Sequence, residues 1–246
     1  MLGLKVIAIS RTFMTKILDY SQKLKLWTDF CDDNGVLQKS VPLFSQQDMR
    51  VETQPYGLDH RLILKRSEEM EALVIEQAEE VINDYKHEMQ IYDGLIYMMY
   101  WLDQGIIQPL YIGKAEKIGR KGGLSINIAN IRHNKSNFCR WGSNYQYHIG
   151  DLSAATIFGH NPKNVNRKYL QWAEKLFLDH PTFEPVLRQP TFFWMKAWPR
   201  RKIGIWKEYG ITSLTFLEYL LIGVASDIFP TYLLNTEGVN RRSSEI

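Results

Sequence analysis

The sequence predicts an α+β fold: a small, mostly antiparallel three-stranded sheet flanked by helices, with a partly helical N-terminal extension ahead of it. Three observations point there. Residues 95–113, LIYMMYWLDQGIIQPLYIG, set two aromatic and β-branched runs on either side of a polar hinge, which is the pattern of a hairpin. A further run, TFFWMKAWP at 191–199, reads as a third strand closed by Pro199. The stretches 67–89, 166–180 and 212–228 instead carry apolar residues at helical spacing.

Taken in chain order, residues 1–30 mix apolar and basic residues in a loosely helical rhythm. Residues 31–60 are polar and punctuated by turn signals at Asn34-Gly35 and Pro55-Tyr56-Gly57, so they read as loop with room for one strand. Ser67 is a candidate N-cap for a helix to Met89 that places Met70, Leu73, Val74, Ala78, Val81 and Ile82 near one face. The period changes after Asp93-Gly94, and the hairpin turns around Asp103-Gln104-Gly105. LSINIANIRH (124–133) reads as a short helix, and 166–180 as an amphipathic one. Thr212 or Ser213 caps the last helix, which is largely apolar and carries Glu218 within its first two turns.

The chain has 246 residues, enough for one sizeable domain or for a domain of roughly 150 residues with an appendage. We expect 1–90 to be the extension and 91–246 the main domain. Apolar residues make up 45% of the chain and aromatics 13%, so it can bury an ordinary core without a metal or disulfide staple. The two cysteines, Cys31 and Cys139, form no C-x-x-C pair, which argues against a zinc-thiolate site and for a reducing, cytoplasmic compartment. MLGLKVIAIS is too short for a signal peptide, and FLEYLLIGVAS too short to span a bilayer, so no membrane association is expected. A net charge of +3 permits a nucleic-acid partner without requiring one.

Within the hairpin, residues two apart share a face, so Tyr97 and Tyr111 can stand together while their neighbours enter the core. The strings Ile96-Tyr97 and Tyr111-Ile112-Gly113, followed by Lys114, closely resemble the two signatures of the GIY-YIG nuclease superfamily. In the first string Leu95 stands where the signature has glycine, and Gly94 comes one place early. Members of that superfamily also carry an arginine after the second string, one glutamate early in a late helix, and an asparagine beyond it. Glu218 and Asn235 match the last two. For the arginine, Arg120, Arg132 and Arg140 compete; Arg140 is favoured because Trp141, Tyr145, Tyr147 and His148 surround it in the sequence. The resemblance covers about residues 94–240, with 150–190 as an insertion.

The resemblance implies a metal-dependent endonuclease acting on DNA, of a restriction or mobile-element type. Glu218 would hold a divalent cation, Mg²⁺ by the family pattern, and the arginine would clamp the phosphate with its planar fork of donors. Tyr97 or Tyr111 would orient or deprotonate the attacking water, with a cation such as Lys114 nearby; which tyrosine does so is open. His148 joins the candidate catalytic set, while Gly113, Lys114 and Asn235 are candidate substrate-binding positions. Basic residues in KAEKIGRKGG, NRK, PRRK and NRR would supply phosphate contacts. A catalytically inactive nucleic-acid-binding module with the same fold is the alternative.

Overall fold

The computed structural model describes residues 18–133 and 148–240. Among these residues, five α-helices and eight strands run in the order α1 (Tyr20–Asp33), β1 (Val41–Pro42), β2 (Gln46–Gln47), β3 (Arg50–Val51), β4 (Thr53–Tyr56), β5 (Arg61–Leu64), α2 (Glu68–Lys86), β6 (Tyr92–Asp103), β7 (Ile106–Glu116), α3 (His148–Thr156), α4 (Arg167–Leu176), β8 (Phe192–Pro199) and α5 (Leu214–Ile228). The class is α+β, as the sequence predicts.

The central sheet is antiparallel in the order β1-β8-β6-β7, and so has four strands where three are expected. The extra strand, β1, pairs Val41 with Phe193 and Pro42 with Phe192. Two residues, one of them a proline, leave no alternation to detect, and proline is tolerated there because β1 is an edge. The described part of 1–90 also supplies α1 and α2, which pack onto the sheet rather than standing apart from it. The polar stretch before α2 forms the small pairs β2–β3 and β4–β5.

Strand β6 is apolar on both faces because both faces are covered. Leu95, Tyr97, Met99 and Trp101 face α2 and α4, together with Phe193 and Met195 of β8. Ile96, Met98 and Tyr100 face α1 and α5, together with Trp194 and Trp198. The register between β6 and β7 shifts after Met99: Met99 faces Tyr111, but Tyr100 faces Pro109. This bulge falls beside a residue that has no N–H for the ladder, and it turns both Leu110 and Tyr111 toward the α2/α4 layer.

Helix ends follow their caps. Ser67 accepts from the Met70 N–H at 2.9 Å and starts α2; Ser213, rather than Thr212, accepts from Phe216 at 3.3 Å and starts α5. Helix α4 ends at Leu176, short of the expected 180, because Phe177 turns extended and bridges Leu187. The expected helix at 124–133 is a run of turns, with Asn130 at φ 58° and Ile126 exposed. A left-handed residue breaks the helical path there.

Candidate active site

The site is built on the last third of β7 and what covers its outer edge. Residues 110, 112 and 114 direct their backbone groups away from β6. Leu110 O accepts from the Leu234 N–H at 2.7 Å. The Asn235 amide brackets Ile112, accepting from its N–H and donating to its carbonyl, each at 2.9 Å. The Lys114 N–H faces the Glu218 carboxylate. An edge that would otherwise be open to another strand is thus closed by one loop and one helix. Asn235, expected to bind substrate, has its side-chain amide engaged with this strand.

Tyr97 and Gly113 are directly paired across the ladder. A Cβ at Gly113 would stand 2.5 Å from the Tyr97 hydroxyl and 2.6 Å from its Cζ, so the phenol occupies the space a side chain would need. The sequence makes Gly113 a candidate substrate-binding position, and the geometry gives it another reason: the space its side chain would need is taken by Tyr97. Gly94 is demanded in the same way: at φ 150°, its Cβ would meet Ala115 O at 2.3 Å and Leu214 Cδ2 at 2.8 Å. It lets β7 and the start of α5 approach β6 closely.

Tyr111 lies diagonally from Tyr97, with ring centroids 6.3 Å apart, and is half-buried against Trp172 at 5.0 Å. Lys168 of α4 sets its ammonium 5.4 Å from the Tyr111 centroid and 5.6 Å from those of Tyr169 and Trp172. Sequence reasoning missed Lys168 as an individual residue, since a lysine on an amphipathic helix reads as its solvent face. Its signal was only the basic NRK string inside the expected insertion.

Glu218 sits in the second turn of α5, half-buried. Burial pushes its carboxyl above the ordinary value; the Lys114 charge and backbone N–H pull the other way, while Glu116 and Glu237 add to the rise. Lys114 itself is held by Glu116 at 2.6 Å, and Glu116 also accepts from Thr215 Oγ1 at 2.8 Å. These bonds, Lys114 first and then Thr215, keep the Glu116 carboxyl below the usual range. Summing along Tyr97, Gly113, Lys114 and Glu218 puts the tyrosine hydroxyl and the carboxylate within about 10 Å of each other.

Among the arginines, Arg132 approaches Glu79 of α2 at 3.3 Å and is largely exposed, and Arg120 is exposed in the turn after β7. Arg140 and the side chain of His148, which opens α3, lie outside the described residues. Among the described residues no three His, Cys, Asp or Glu side chains form a metal-binding group. The donor chemistry at Glu218 suits a hard, largely hydrated cation: one carboxylate that is costly to ionise unaided, with Glu116 and Glu237 adding negative field.

Compared with known proteins, the chain matches no family model, and no curated protein or solved structure resembles it significantly. No helix among the described residues is long and apolar enough to cross a membrane.

Proposed function

We propose that the chain is a divalent-metal-dependent endonuclease that hydrolyses DNA phosphodiester bonds. The observation that carries this reading is the gathering of Tyr97, Tyr111 and Glu218 around Gly113 and Lys114, at one end of one strand, from positions more than a hundred residues apart. A core needs no carboxylate there, and the half-buried Glu218 raises the free energy of the ionised site unless a cation offsets it.

Each residue then has a task. Glu218 would hold a divalent cation, Mg²⁺ by preference, and such an ion would supply charge relief on the phosphate and its leaving oxygen. Tyr111 orients the attacking water and takes up its proton. The Lys168 ammonium stands beside the Tyr111 ring and is a cation available to offset negative charge that develops there during the reaction. Tyr97 is buried in the α2/α4 layer and fixes the ring and strand geometry around Gly113. Lys114, steadied by Glu116, adds positive charge beside the scissile phosphate. Arg140 is the preferred phosphate clamp, with Arg132 and Arg120 as the other candidates.

The test is incubation of the purified protein with supercoiled and linear DNA, with and without Mg²⁺, beside Glu218→Gln and alanine substitutions at the three arginines. Glu218→Gln should lose at least about 100-fold in cleavage while DNA binding is kept, because the cation ligand goes and repulsion toward phosphate falls. The clamping arginine should be the one whose removal lowers both. Near-normal cleavage by Glu218→Gln would sink the single-metal reading; no cleavage of any DNA or RNA by the intact protein, with binding retained, would favour the silent binding module.

A further inference from the structure

A second concentration of positive charge lies elsewhere on the sheet. Lys196 leaves β8 on the α1/α5 face, in the same cross-sheet row as Ile96 and Lys114. The Lys196 and Lys114 Cα atoms are therefore about 10 Å apart. Lys196 Nζ lies 3.1 Å from Asn34 Oδ1, and Lys202 Nζ lies 2.6 Å from the same oxygen. The Asn34 amide is buried and fixed, its Nδ2 donating to Phe30 O at 2.8 Å. Neither ammonium is paired with a carboxylate among the described residues.

We propose that Lys196 and Lys202, with Asn34 between them and the exposed Lys39 beside them, form a binding site for a phosphate group. Two ammonium groups bring six N–H donors to one neutral oxygen, which leaves most of their hydrogen-bonding capacity unused by that oxygen. Like charges held this close and partly out of water repel each other. A tetrahedral oxyanion set against both replaces that repulsion with charge-assisted hydrogen bonds. The strain is visible in Lys196: burial first, then Lys202 beside it and the charge of Lys39, pull its pKa down to about 8, with Glu80 opposing.

Helix α1 ends at Asn34 and has no basic residue in its own last turn. One cation at its carbonyl end is explained by the helix dipole. The second, Lys202, also sets its ammonium 4.7 Å from the Trp198 ring centroid, yet two cations on one neutral oxygen still leave a surplus of positive charge, and that surplus is what an anion would use. The phosphate is either free or part of a nucleic-acid strand, and only the strand form rests on the nuclease reading.

The experiment uses the full chain with ¹³C,¹⁵N-labelled lysine, which leaves every N–H donor in place, and follows each lysine signal by NMR. Inorganic phosphate and a short oligothymidylate are titrated separately, against chloride at matched ionic strength. The Lys196 and Lys202 signals should move first and saturate, and thermal unfolding should shift upward with phosphate beyond the chloride control. Lys196→Met and Lys202→Met should each weaken this response at least about tenfold. Response to inorganic phosphate would assign a small-molecule phosphate site, and response only to the oligonucleotide a strand site. A chloride-equivalent response, or movement of other lysine signals while these two stay still, would overturn the proposal; neither result depends on cleavage.

Discussion

The hydroxyl of Tyr97 rests on the Cα face of Gly113, closely enough that even a methyl group at position 113 would fall 2.5 Å from it. Gly113→Ala should therefore displace a buried ring rather than a mobile surface chain, costing about 1–3 kcal/mol in urea unfolding. Tyr97→Leu in the same background should recover part of that loss. A double-mutant cycle with no coupling would show that the contact is not what demands glycine.

Glu218 gives a stability prediction independent of catalysis. Its carboxyl is raised by burial, so the folded state resists ionisation more than the unfolded chain does. The fold is unburdened below the ordinary carboxylate value and loses stability as pH rises from there through the elevated folded value. Glu218→Gln should accordingly melt higher than the parent at neutral pH, and the advantage should vanish in acid below the unfolded value. Mg²⁺ should raise the melting temperature of the parent at neutral pH and leave the variant unmoved. An advantage equally large at low pH would show that charge is not its source.

Lys168 should matter to catalysis more than to folding. Lys168→Met keeps the aliphatic stem over Tyr111 and Trp172 but removes the charge. Cleavage should drop about tenfold or more, with the rising limb of the pH–rate profile moved to higher pH, and Lys168→Arg should restore most of the loss. An unchanged profile would make Lys168 a packing residue.

Replacing Asn235 with alanine leaves both backbone groups of Ile112 without their partner on the outer edge. A loss of about 1–3 kcal/mol is expected, with faster hydrogen exchange at the Ile112 amide. A fall in DNA binding while that amide remains protected would show that Asn235 also contacts substrate.

Much of this was legible beforehand where one period persists over many residues. The hairpin, α2, β8 and α5 declare themselves because their faces are buried consistently, and α2 and α5 also have serine caps. The rest depends on partners distant in sequence. Strand β1 exists only because Phe192 and Phe193 offer it a ladder. The turns at 124–133 imitate a helix because Leu124, Ile128 and Ile131 fall at helical spacing, yet Asn130 at φ 58° interrupts the path. Tyr97, Tyr111 and Glu218 could be singled out by their strings and by a charge in an apolar helix. The use of Asn235 and the place of Lys168 could not, since polar side chains on loops and amphipathic helices look alike until something is packed against them.

The closure of β7 also has a dimension in time. Ile112 receives its outer partner from a residue 123 positions later in the chain. At about 5–20 residues per second, a ribosome takes on the order of ten seconds to deliver Asn235 after Ile112 has emerged. For that interval the hairpin can form but cannot be sealed, and its apolar edge invites pairing with a neighbouring nascent chain. A chaperone that shields β7 until the C-terminal segment arrives should raise the soluble yield, and it should do so most under conditions that speed initiation and crowd nascent chains together.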